Sequence, residues 1–371
     1  MLGDSFVQAA ADAAVAGDRE AHRRVTASWR VLLVAWDILE RSTCNLALTR
    51  IARREVKTLD YVTLRGHLET MLNVADGTAY CRDWRVELAR RMLEYAEFLR
   101  RIVKWNLAAD VYGMLAHVLD LPDDIRIAAV AGHAFALREM RQLDEADLAY
   151  YHLREIANAA GDLDMKLQAD LGLAKILGSR GDLAGMESGA RHVVAVAQAY
   201  GCPDVEGMAH IDLSYIAGMR DDHEDAIRHC DAAIRCQLTE FQDERCRLNM
   251  AFAYRQLGWV EDARGMASLV AAQSPHENHR HQAALLLYDI AIAARDAGAV
   301  AYYRASLTRA FDRLTPVQRE EFQQYRARET VLQYTPPTDG TLYASRPPDA
   351  DAGLIDIAER TLASLSSASA A

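Results

Sequence analysis

The sequence predicts an all-α protein built as an array of helix–turn–helix units. Composition is the first reason. Among 371 residues there are only 20 glycines and 8 prolines, while alanine, leucine and arginine run throughout, a usage that favours helix almost everywhere. Length is the second, because a chain of this size exceeds what one compact core usually organises and calls for several domains or a repeat. The third is a recurring spacing. Ala108, Ala146, Met186, Ala226, Ala263 and Tyr303 stand at intervals of 38, 40, 40, 37 and 40 residues in similar local patterns. Twelve residues before them come Ala96, Ala134, Ala174, Ser214, Ala251 and Ala291, all small. An ordinary helical bundle gives no reason for one spacing to recur in this way.

Residues 1–80 read as helical but match the repeat poorly. "REAHRRVTASWRVLLVAWDILERSTCNLALTRIARRE" carries an apolar face wide enough to be buried, through Trp29, Leu32, Leu33, Trp36, Ile38 and Leu39. This region is either an N-terminal helical bundle or one or two divergent capping repeats. A cap is needed because the end of a stacked array otherwise exposes its core.

Residues 83–314 hold six units. Each contains a turn between its two small positions, as in "MRQLDEA", "SRGDLAGM", "MRDDHEDA" and "QLGWVEDA". Gly181, Gly258 and Gly298 suit the left-handed cap of a first helix, and Asp144 and Asp182 the N-cap of a second. In "DDHEDAIRHCDAAIRC", Ala226, Ile227, Cys230, Ala233 and Ile234 recur every three to four residues, one face of a helix. That face is small because the partner helix of its hairpin must cross closely.

Residues 315–371 are expected to form a helix, a proline-rich connector, an amphipathic helix and a disordered end. "QYTPPTDGTLYASRPPDAD" holds four of the eight prolines. Beyond it, Leu354, Ile357, Ala358, Thr361, Leu362 and Leu365 fall on one helical face.

The small crossing residues and the helix–turn–helix unit resemble the tetratricopeptide repeat family, most closely in "LNMAFAYRQLGWVEDARGMASLV" and "IDLSYIAGMRDDHEDAIRHCDAAI". The resemblance spans residues 83–314. The intervals exceed the family's unit of about 34 residues. The resemblance implies a right-handed α-solenoid whose first helices line a concave surface. In that register Glu97, Phe135, Lys175, Tyr215, Phe252 and Ile292 point into the groove. One turn on come Arg100, Arg138, Gly178, Gly218, Arg255 and Arg295, with Arg90, Arg245 and Tyr288 from neighbouring turns. Arginine forks match carboxylates, and aromatic faces anchor side chains at small entropic cost. The competing reading is structural, since these arginines sit near helix C-termini, where the dipole favours a cation.

Chemistry of other kinds is not expected. The net charge of −11 argues against general nucleic-acid binding. No apolar run approaches a membrane span, and the N-terminus lacks the basic and apolar regions of a signal peptide. The six cysteines, Cys44, Cys81, Cys202, Cys230, Cys236 and Cys246, form no CxxC pair and read as reduced, buried thiols. "HENHRHQ", from His276 to Gln282, gathers three histidines with Glu277, but at spacings of three and two rather than the four of HExxH. It reads as a solvated helix start, with no metal or cofactor. The expectation is therefore a non-enzymatic cytoplasmic adaptor of bacterial type that binds an extended, acidic protein segment. Two alternatives remain open. One is a peptide-sensing regulator similar in plan to the Rap type, and the other is a structural subunit of a larger complex. Partner and oligomeric state are left undetermined.

Overall fold

The computed structural model describes residues 3–41, 45–77, 84–118 and 120–331. Cys44, Cys81, the proline-rich connector and the expected helix around residues 354–365 lie outside them. Among the described residues there are seventeen α-helices and no strand. They fall into two compact units, Met1–Asp182 and Leu183–Ala371.

The first unit runs α1 (Asp4–Val15), α2 (Arg19–Arg41), α3 (Leu46–Val56), α4 (Val62–Asp76), α5 (Trp84–Arg101), α6 (Trp105–Ala116), α7 (Asp123–Glu139), α8 (Leu143–Ala160) and α9 (Leu163–Ser179). Each of these helices packs on the next. One continuous core runs from Phe6 through Leu32, Leu68, Met92 and Tyr112 to Ala129. The N-terminal helices are thus built into the core of the first repeats rather than set apart as a module. Helix α1 lies on α6, where the Ser5 amide donates to Asp110 Oδ2 at 3.0 Å.

The second unit runs α10 (Leu183–Tyr200), α11 (Pro203–Met219), α12 (His223–Ile234), α13 (Glu240–Gln256), α14 (Val260–Gln273), α15 (Glu277–Ala294), α16 (Ala297–Arg309) and α17 (Pro316–Val331). Its hairpins also pack in chain order, and α11 touches α13, α13 touches α15, and α15 touches α17. This sequential stacking of hairpins is the packing of an α-solenoid. Helix α17 docks beside α15 as a further first helix, with Phe322 in the cluster of Tyr288, Ile292 and Leu314.

Left-handed residues stand in the turns that follow α5, α7, α9, α11, α13 and α15, at Val103, Arg141, Gly181, Asp221, Gly258 and Arg295. The first five stand five residues before the repeat anchors. The sixth does not. Gly298, expected as a cap, lies inside α16, and Arg295 takes the left-handed position at φ 55°. The last unit is therefore displaced by three residues, nearly one helical turn, and its anchor is Val300, buried at 3% exposure. A shift of three keeps the same helical face, which is why the apolar pattern alone did not expose it. Asp144 is also reassigned. Gln142 occupies the N-cap of α8, and Asp144 falls in the first turn, where an anion is still favoured.

The crossings explain the small residues. Tyr112 of α6 lies against Gly132 of α7, and Tyr150 of α8 against Gly172 of α9. A Cβ on either glycine would sit 2.4 or 2.2 Å from the ring. The same two positions in the following units read Ala190 with Asp212, Cys230 with Asn249, and Ala267 with Leu286. Where the second helix carries tyrosine, the next first helix carries glycine; where it carries alanine or cysteine, the next first helix carries a larger residue, and Ala267 and Leu286 share one buried cluster. Close packing requires this exchange of volume.

Candidate functional site

In the first unit, α5, α7 and α9 carry the expected stripe. Arg100 and Arg138 flank the Phe135 ring, with guanidinium carbons 5.5 and 4.9 Å from its centroid, an arrangement that stabilises both partners. Each arginine already faces an acid. Arg100 pairs with Glu97 at 2.6 Å, and Arg138 with Glu139 at 2.8 Å. The Arg138 side chain is only 9% exposed. Lys175 is half-buried on α9.

In the second unit the arginines are engaged in the same way. Arg255 lies 3.0 Å from Asp289, whose other oxygen accepts from Arg328 of α17. Arg245 stands 4.0 Å from the buried Asp212. The aromatic positions differ. Tyr215 is 43% exposed, Phe252 41% and Met219, one turn beyond Tyr215, 55%. Gly218 brings bare α11 backbone under Phe252, since a Cβ there would lie 4.0 Å from the ring. His223 meets the same ring edge-on, with centroids 6.2 Å apart. Tyr215, Met219 and Phe252 thus form an exposed apolar patch across α11 and α13.

Two expected groove residues do not belong to the stripe. Tyr288 is fully buried, packed on Phe322 and Tyr325 and hydrogen-bonded to Glu329. Arg295 is the left-handed turn residue. Both follow from the displaced register of the last unit. With Val300 as anchor the stripe continues through Asp289 and Ile292, which are 6% and 3% exposed.

The histidine cluster is also corrected. His279 and His281 are buried and His276 half-buried, because Phe241 and Glu244 of α13 cover the start of α15. Glu244 Oε2 receives His276 Nδ1 at 2.9 Å, His279 Nδ1 at 2.7 Å and Ser274 Oγ at 2.8 Å. Phe241 stacks on His279 at 4.3 Å and meets His276 edge-on at 5.0 Å. Burial pushes the Glu244 carboxyl up, but hydrogen bonds from His276, His279 and Ser274 outweigh it and hold the group at about 2. Burial pushes His279 below the usual imidazole range, with Glu244 acting against the shift. Glu244 has no local sign in the sequence, since it lies one repeat away from the histidines it joins.

Cys202, Cys230 and Cys246 are buried and Cys236 half-buried, and none of the four is in a disulfide. The Cys230 and Cys246 thiols each donate to the other's carbonyl, at 3.6 and 3.5 Å. Among the described residues, no helix is long and apolar enough to cross a membrane.

No family model matches the chain, and no curated protein matches it. Among solved structures, the chain is similar to BtubC (BKLC) from P. vanneervenii at 13% identity and a TM-score of 0.40, over 54% of this chain and 85% of that one.

Proposed function

We propose that the chain is a non-catalytic helical-repeat adaptor that binds an extended protein segment on the first-helix surface of its second unit. The supporting observation is the exposed patch of Tyr215, Met219 and Phe252, carried by two neighbouring helices of successive hairpins. Packed helices lie about 8–10 Å apart. A segment in polyproline-II conformation advances about 9 Å every three residues and returns to the same face. Side chains at every third position of such a segment therefore meet α11 and α13 in turn. Large aromatic side chains give contact area at small entropic cost.

The acidic preference expected from the arginines is not part of this reading. Arg100, Arg138 and Arg255 already face Glu97, Glu139 and Asp289, so an incoming carboxylate would compete with partners in place. The peptide-sensor alternative is less favoured, because the N-terminal helices share one core with α5–α7 and have no separate body to move.

The test is selection from a displayed random-peptide library with the full chain, followed by counter-selection on a Tyr215→Ser/Phe252→Ser variant. Peptides with apolar residues three apart, lost on the variant, support the reading. Enriched peptides that bind the variant equally well exclude it.

A further inference from the structure

We infer that Glu244, His276 and His279 form a binding site for a divalent transition-metal ion of the zinc class, which ties α13 to the start of α15. The ligand atoms offered by the three side chains lie within 4.8 Å of one another. Two imidazole nitrogens, the Nδ1 of His276 and of His279, already converge on one carboxylate oxygen of Glu244. The elements arrange this without strain. His276 is the N-cap of α15 and His279 lies in its first turn, so both rings turn back toward α13. Glu244 stands in the first half of α13, on its buried side.

The donor set decides the class of ion. Two nitrogens and one carboxylate suit zinc and its neighbours, whereas calcium and magnesium prefer oxygen alone. Charge argues the same way. The positive end of the α15 dipole, with Arg245 acting on His279 and Arg280 on Glu244, disfavours an ion held by electrostatics only. Coordinate bonds from nitrogen are needed to overcome it. Tetrahedral zinc with bonds of about 2.0–2.1 Å places its ligand atoms about 3.3 Å apart, so the present nitrogen–oxygen separations need open by only about half an ångström. On binding, each Nδ1 gives its lone pair to the metal and its proton resides on Nε2. Neutral rings change tautomer and release no proton.

The surroundings supply the supporting contacts that metal sites use. Ser274 Oγ donates to Glu244 Oε2, and Arg280 holds the Ser274 carbonyl at 2.6 Å. Phe241 packs on both rings. Three protein ligands leave a fourth position for water.

The experiment uses the full chain, freed of metal by a chelator and titrated with Zn²⁺, with Co²⁺ as a spectroscopic probe. One equivalent of zinc should bind and raise the melting midpoint by about 5 °C at a hundredfold excess over Kd. Cobalt should show the visible bands of a tetrahedral N,O site. His276→Ala, the most exposed of the three positions, and Glu244→Gln should each lose at least tenfold in affinity, while His210→Gln, at the separate His210–His229 pair, should bind as the unmodified chain does. Circular dichroism checks that each variant is folded; should Glu244→Gln unfold, His276→Ala decides alone. Absence of zinc binding by the unmodified chain overturns the inference and leaves the cluster a hydrogen-bond network. So does undiminished binding by His276→Ala, which would send the ion elsewhere.

Discussion

Gly172→Ala places the packing account under direct stress. In a helix interior this change ordinarily stabilises, by up to about 1 kcal/mol, because alanine loses less conformational freedom than glycine. Here the new Cβ would lie 2.2 Å from Tyr150 Cε1 and 2.4 Å from Cδ1. The ring must retreat by more than about 1 Å to restore ordinary contact, and overpacking of this kind costs about 1–3 kcal/mol. Tyr150 has little room to do so. It is 5% exposed and packed among Val130, Ala134, Leu137 and Leu153. The net expectation is a loss of about 1–2 kcal/mol, or a few degrees in melting midpoint for a unit of this size. Gly265→Ala is the control, since Gly265 is an exposed helical glycine of α14 with nothing within 4 Å of the added Cβ. It should stabilise. A double-mutant cycle with Tyr150→Ala, read by chemical unfolding and circular dichroism, should show a coupling of about 1–3 kcal/mol, because removing the ring makes the alanine welcome. If Gly172→Ala stabilises as Gly265→Ala does, or if the coupling is zero, the exchange of volume at the crossings is not what sets the stacking.

Ala226→Leu should destabilise by about 1–3 kcal/mol in thermal melts, because Ala226 is buried at 2% exposure where α11 and α12 cross. Arg255→Glu should cost on the order of 2–4 kcal/mol by setting a second carboxylate against that of the buried Asp289; an unchanged midpoint would show that the pair contributes nothing. Burial, with His117 nearby, holds His133 down to about 4. The folded chain therefore binds that proton less readily than the unfolded chain, so this stability is complete above about pH 6.5 and is lost as pH falls toward 4. His133→Gln should flatten the decline in unfolding free energy between pH 6.5 and 4 by about 1–3 kcal/mol, read by chemical unfolding across that range.

The hairpin array was legible because the signal is repeated. One small residue in a helix says little, but five at similar intervals imply five crossings. Register was less secure. Helical faces recur every three to four residues, so a slip of three in the last unit left the pattern intact and carried Tyr288 and Arg295 onto the wrong surface. Only the backbone could correct this, since arginine rarely takes the left-handed conformation that Arg295 adopts. The stripe positions of Tyr215 and Phe252 followed from the repeat, and the structure leaves both rings exposed. The sequence left the arginines open between groove charge and structural charge, and the structure pairs Arg100, Arg138 and Arg255 with acids. Glu97, three residues before Arg100, was visible in the sequence, whereas Asp289 could be matched to Arg255 only through the stacking of α13 on α15. Glu244 was hidden for the same reason. A cluster drawn from two repeats has no local spacing to betray it.

Hydrogen–deuterium exchange on the full chain, with and without a peptide selected from the random library, tests the adaptor reading most directly. The account predicts slowed exchange in α11 and α13, concentrated around Tyr215, Met219 and Phe252, and no slowing in the Tyr215→Ser/Phe252→Ser variant. Protection confined to the second helices α12 and α14, or to α1–α4, with α11 and α13 unchanged, would contradict it.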